Sequence, residues 1–182
     1  MNRLTGHLLI AIPDLFDQNF HQTVVFVIQH DEEGASGVVL NRPSDTTIRD
    51  VWEEVSEATA EAVDPVYIGG PVQGPLIALH ESLALAESSV IPGVFVSVSK
   101  EQLNELVQQH DHQYRIFSGY SGWAPGQLEN ELDQGGWLTL PAKHDHIFAS
   151  TDGLWKKVCD AVGSDILGHH LGKHLPDDPT LN

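Results

Sequence analysis

Ser118-Gly119-Tyr120-Ser121-Gly122-Trp123-Ala124-Pro125-Gly126-Gln127-Leu128-Glu129-Asn130-Glu131 crowds three glycines, a proline and two large aromatics in front of a helix start. A plain solvent turn needs fewer glycines and has little use for Tyr120 and Trp123. The stretch reads as a strand end, a tightly specified turn and a helix N-terminus. Its glycines bring backbone close to a ligand, to a partner or to another strand. A strand over 114–119 runs into it, and a short helix over 127–133 leaves it.

The same grammar repeats on both sides. Upstream, 94–98, 76–79 and 66–68 are short strands, the last stopped by Gly69-Gly70-Pro71. Ser99 with Gln102 has the spacing of a capping box and opens a helix to about 110. Thr47 with Asp50 caps another over 48–62, with Ile48, Val51, Trp52 and Val55 inward. Residues 37–40 form a hairpin with the β-branched run of 23–30, and Pro43 in Asn41-Arg42-Pro43 ends that ladder because it has no N–H to donate. Residues 7–12 add a strand. Downstream, 137–140 and 146–149 read as strands and 153–162 as the last helix; periodicity is lost from Ser164. Strands in runs with few, irregularly spaced helices predict an α+β fold. The expected architecture is a mixed, largely antiparallel sheet curled toward a barrel, with about four helices packed outside. A single domain is expected over residues 1–165, followed by a loosely structured tail over 166–182.

Composition narrows the function classes. The chain has 182 residues, 41% hydrophobic, enough for one sizeable core. Its 26 acidic residues against 9 Lys and Arg leave a formal charge of −17. Nucleic-acid and acidic membrane surfaces are therefore disfavoured partners, since both are held by Lys and Arg. Cys159 is the only cysteine, which excludes an internal disulfide. The apolar run from Leu8 to Ile12 is too short for a signal core or a bilayer span, so the expected location is the cytoplasm.

No catalytic template fits. Gly119-Tyr120-Ser121-Gly122-Trp123 resembles a nucleophile elbow, but Trp123 replaces the second glycine that allows close helix–strand approach. His80-Glu81 begins a zincin motif that fails at Ala84. His110 with His112, His144 with His146 and His170 with His174 read as surface histidines. Glu129 and Asp133 share a helical face, which suits a wet surface and the helix dipole. Neither Gly69-Gly70-Pro71 nor the glycines around Gly122 match a dinucleotide or phosphate loop. No metal, cofactor or catalytic residue is assigned.

Taken together, Gly6-His7-Leu8-Leu9-Ile10-Ala11-Ile12-Pro13, Asp17-Gln18-Asn19-Phe20, Gly34-Ala35-Ser36-Gly37-Val38-Val39-Leu40-Asn41-Arg42-Pro43, Tyr67-Ile68-Gly69-Gly70-Pro71-Val72, Leu79-His80 and the 119–131 segment resemble the AlgH/YqgE family of small bacterial proteins. The resemblance covers about residues 4–165. It implies a single cytosolic α+β domain with no established enzymatic activity. Members have been named transcriptional regulators by genetic association.

Three functions follow in order of preference. The first is a small-molecule or protein-binding module, with Asn41, Arg42, Gly69, Gly70, His80, Gly122, Trp123, Gln127 and Glu129 lining one groove where strand ends meet. Arg42 would anchor an anionic group, Trp123 would form a flat wall and Gln127 would supply a donor and acceptor. The second is a hydrolase using His80 or Glu129 as general base. Direct DNA binding comes last because of the charge.

Overall fold

The computed structural model describes residues 3–13, 19–55 and 60–172, with side chains to residue 163. Eleven strands and five helices are formed among the described residues. The strands divide into two open sheets. One sheet holds, in spatial order, β10 (Ser121–Trp123), β3 (Gly34–Val39), β2 (Val24–Asp31), β1 (His7–Ala11) and β11 (Trp137–Pro141). The other holds β4 (Pro43–Thr47), β5 (Pro65–Ile68), β9 (Tyr114–Ser118), β6 (Ile77–His80), β8 (Val94–Ser97) and β7 (Ser88–Ile91). Every pairing is antiparallel except β5 with β9.

The layers follow from the period of two along each strand. Leu8, Ile10, Val24, Phe26 and Val38 of the first sheet meet Ile77, Leu79, Val94, Val96 and Phe117 of the second in one core. Leu9, Ala11, Val25 and Val39 face the opposite way, beneath α3 (Gln127–Asp133), whose Leu128 joins them. Ala78 and Ile116 face α1 (Ile48–Val55) and α2 (Lys100–Leu106) through Trp52, Leu103 and Leu106. β1 is thus buried on both faces and reads as an unbroken apolar run. Each of its leucines contributes roughly 1.5–3 kcal/mol on burial. The N-terminal end of α5 (Leu154–Gly172) completes the inter-sheet core through Leu154, Val158 and Val162.

The curled, barrel-like sheet expected from the sequence is not what forms. The Gly- and Pro-rich strand ends carry the chain from one sheet to the other instead of closing a single one. β9 belongs to the second sheet, Gly119 turns with φ +71, and β10 then pairs with β3 of the first. At this corner backbones nearly touch. The amides of Val72 and Tyr120 each donate to the other's carbonyl, and Val39 N–H donates to the Gly69 carbonyl. A Cβ on Gly69 would stand 2.3 Å from the Gly119 carbonyl oxygen.

Several local readings also change. Pro43 does not merely end a ladder; it opens β4, an edge strand where its missing N–H costs nothing. β7 and β10 were not anticipated. The strand expected over 146–149 is helical, as α4 (His144–Phe148), because Lys143 N–H donates to His146 Nδ1 and His146 N–H to the Lys143 carbonyl. Thr47 and Asp50 do form their capping pair, with Thr47 N–H and Oγ1–H both on Asp50 Oδ2. The helix they start is shorter than expected: residues 60–64 are not helical, and Asp64 and Ala62 carbonyls accept from Ile48 and Arg49 amides. Ser99 makes no capping bond; the Glu87 carboxylate takes the Val98 and Ser99 amides instead. α5 continues to Gly172, past the point at which the sequence loses its periodicity. The Pro176–Pro179 tail and residues 56–59 of the expected α1 lie outside the described residues.

Candidate functional site: an indole-lined cleft

The two edge strands of the first sheet each carry a tryptophan, Trp123 ending β10 and Trp137 opening β11. α3 connects these edges across the outer face of the sheet. Its Glu131 joins the two indoles: Oε2 accepts from Trp123 Nε1 at 2.9 Å and from Trp137 Nε1 at 2.8 Å. Oε1 accepts from Gln127 Nε2 at 2.9 Å, one helical turn earlier. Gln127 is oriented in turn, since its Oε1 accepts the Ala124 amide. One carboxylate therefore takes three N–H donors and fixes the rings with charge-assisted bonds.

Phe20 completes the aromatic set. Its ring stacks on Trp123 at 6.1 Å and meets Trp137 edge-on at 5.3 Å, while the indoles lie 6.1 Å apart at 78°. These side chains open onto a cleft of about 570 Å³, also lined by Ile12, Asn19, Pro71, Gly122, Gln134 and Gly136. Glu131 is the only charged residue among the described residues of the lining.

The nine residues expected along one groove fall into separate places. Gly122, Trp123 and Gln127 line this cleft, and Pro71, next to Gly70, reaches its rim. Gly69 and Gly70 are spent on the sheet corner, where a Cβ on either meets backbone at 2.3 Å. Asn41 Oδ1 accepts the Val24 amide and its Nδ2 donates to the Gln22 carbonyl. Arg42 Nη2 donates to the His21 carbonyl, so this pair clasps the loop that follows Phe20.

Glu129 points away from the cleft, toward His30. His30 Nδ1 accepts the Leu4 amide, so its proton sits on Nε2 and donates to Glu129 Oε1 at 3.0 Å. A hydrogen bond from its own amide lowers the Glu129 pKa, opposed by desolvation and reinforced by the His30 contact.

His80 is fully buried on the outer face of the second sheet. Ser97 Oγ donates to the Leu85 carbonyl and accepts from His80 Nε2 at 3.0 Å. Two sheets stand between His80 and Glu129, so they form no common acid–base pair. Ser121 is buried in β10 with its hydroxyl on the Gly69 carbonyl, away from any nucleophile role.

The sequence reading missed Glu131, Trp137 and Phe20. Glu131 was visible as the residue four beyond Gln127, but the sequence does not show that the two tryptophans meet above one helix. Among the described residues, no group of three or more His, Cys, Asp or Glu side chains is placed to hold a metal ion. No helix among them is long and apolar enough to cross a membrane.

Acid should unfold this molecule earlier than a surface count suggests. Burial is the main force holding the His80 pKa below the ordinary 6.5, against the pull of the Ser82 backbone and Glu87. A depressed pKa means the unfolded chain binds the proton first, so stability is full above 6.5 and falls as pH drops toward the folded value. Burial depresses His146 too. Below the ordinary glutamate value of 4.5, Glu81 adds a second loss, because the Gln113 amide and His144 hold its pKa down. Urea midpoints are expected to decline between about pH 7 and 5.5 and again below about 4.5, as these groups' ordinary values require. A flat profile down to the carboxylate range would contradict the burial argument for the histidines.

Fold and cleft together define a two-sheet α+β protein with an aromatic recess holding an acidic residue on one outer face. The AlgH-like family profile matches residues 8–167. The chain belongs to that family. It is 37% identical over 193 residues to a UPF0301 protein of Thermobifida fusca, covering 98% of this chain and 96% of that one. A UPF0301 protein of Thioalkalivibrio sulfidiphilus is 38% identical over 173 residues, covering 91% and 92%. The solution structure of the AlgH protein from Pseudomonas aeruginosa matches with a TM-score of 0.75 at 34% identity over 88% of each chain. A crystal structure of a Corynebacterium diphtheriae protein matches at 0.70 and 25% identity, over 87% of this chain and 88% of that one. Membership accounts for the fold and assigns no reaction.

Proposed function

We propose that this chain is a binding module whose cleft takes a small, flat organic molecule, neutral or cationic. The observation that carries the reading is the convergence of three N–H donors on Glu131, which holds two indoles in fixed orientation beside an open recess. A site ordered before its ligand arrives does not spend binding energy on immobilising side chains. Among the described lining residues, three aromatic rings with one carboxylate and no Lys, Arg or His favour a cation and disfavour an anion. Asn19 and Gln134 add polar side chains to the lining.

Arg42, the anion anchor expected from the sequence, clasps the neighbouring loop through the His21 carbonyl. The hydrolase alternative, with His80 or Glu129 as general base, is less favoured: His80 is fully buried against Ser97 and Glu129 is engaged by His30 outside the cleft. The charge of −17 still argues against DNA.

The test is a fluorescence titration with benzyltrimethylammonium, with benzyl alcohol and benzoate as neutral and anionic counterparts. The cation should give a saturable change in tryptophan emission that is at least tenfold weaker in Trp123→Leu. A Gln134→Ala variant, altered only at the rim, should bind within a few-fold of the parent. Equal response to all three probes, or none, would remove the proposal.

A further inference from the structure

On the opposite side of the molecule Arg115 stands in an unusual position. It projects from β9 toward the end of the inter-sheet core, its guanidinium carbon 5.1 Å from the centre of the Tyr67 ring. Nη2 donates to the Ala149 carbonyl at the end of α4, a favourable place for a cation. Nη1 is buried and has no hydrogen-bond partner. No carboxylate among the described residues pairs with the guanidinium within 4.0 Å. A partly buried cation with a buried, unpartnered donor is costly, and such a group calls for an explanation.

A cavity of about 280 Å³ opens beside it, lined by Tyr67, Tyr114 and Phe148 together with the polar Asp64, His112 and Gln113. We propose that this cavity is a binding site for a small monocarboxylate with an apolar body, its carboxylate held by the Arg115 fork. The planar guanidinium matches a carboxylate, which would supply the acceptor that Nη1 lacks. The aromatic walls suit an apolar body. Asp64 limits the charge the site tolerates: one cation beside one anion accommodates a monoanion better than a phosphate dianion. Burial, opposed by Tyr67 and Asp64, lowers the Arg115 pKa, the direction expected of a cation short of counter-charge. The site is independent of the indole cleft, whose lining disfavours anions.

Benzoate, titrated into labelled protein and followed by NMR, is the probe. The amides of Gln113, Tyr114 and Arg115 should move saturably, while the Trp123 and Trp137 indole signals stay in place. Arg115→Met should weaken binding at least tenfold, with Arg115→Lys intermediate because an ammonium offers no fork. Asp64→Asn, at an exposed position, should tighten benzoate about threefold and guards against a folding defect at Arg115. Inorganic phosphate should bind more weakly than benzoate. Unmoved amides, undiminished binding in Arg115→Met, unaltered binding in Asp64→Asn, or tighter phosphate would each overturn the assignment.

Discussion

Gly70→Ala is expected to destabilise the protein by about 3 kcal/mol or more, the combined scale of left-handed strain and overpacking against rigid backbone. Gly70 has φ +155, a conformation L side chains rarely adopt. A Cβ there would lie 2.3 Å from the Tyr120 carbonyl carbon and 2.4 Å from the Ser121 amide nitrogen. Backbone cannot swing aside as a lysine tip would. Relief requires parting the Val72–Tyr120 bridge, and with it the corner at which the chain changes sheets. Gly135→Ala is the control: φ is +73 but nothing lies within 4 Å of its Cβ. It should cost only about 1 kcal/mol, the conformational part alone. Urea unfolding of the two variants checks this. Similar losses would show that the corner gives way easily and that the glycines there serve something other than packing.

Glu131→Leu is expected to have the second large effect, on stability and on the cleft together. Trp123 and Trp137 are only 6% and 5% exposed, so their N–H groups have little access to replacement water. Each buried donor left unpaired costs about 1–3 kcal/mol, giving a loss of roughly 2–6 kcal/mol for the two indoles. Glu131→Gln keeps one acceptor oxygen for the two indoles and should fall between. Near-ultraviolet circular dichroism should report the release of the ring pair. A folded Glu131→Leu protein with unchanged stability and spectrum would mean that packing with Phe20, not the carboxylate, fixes the rings.

The two substitutions mark where sequence reading succeeds and where it stops. The apolar run of β1, the β-branched run of β2 and the capping pair Thr47–Asp50 are local patterns, and they form as written. The 118–131 segment announced close backbone approach, and the approach is real: its partner is another strand. What the sequence does not contain is which strand ends share a sheet. Alternation along β9 and β10 is the same whether the sheet curls or the chain crosses to a second one. Only the pairing of β10 with β3 separates a barrel from two open layers.

The 146–149 segment was misread for a different reason. Ile147 and Phe148 are a short apolar run that fits a strand or a buried helix turn, and the Lys143–His146 contacts decide for the helix. The cleft was half legible. Gly122, Trp123 and Gln127 lie together because they are neighbours in sequence. Trp137 and Phe20 join them through tertiary contacts that no local period encodes. Glu129, two residues from Glu131 on the same helix, faces His30, so helical phase alone separates the bystander from the clamp.

The proton–nitrogen NMR spectrum of the four indole groups, recorded while benzyltrimethylammonium is added, tests the central claim most directly. Trp52 donates to Asn104 and Trp155 to the Ala11 carbonyl, so two indoles outside the cleft serve as internal references. The account predicts that the Trp123 and Trp137 signals shift together and saturate, while Trp52 and Trp155 do not move. Stationary Trp123 and Trp137 signals, or a uniform drift of all four, would contradict it.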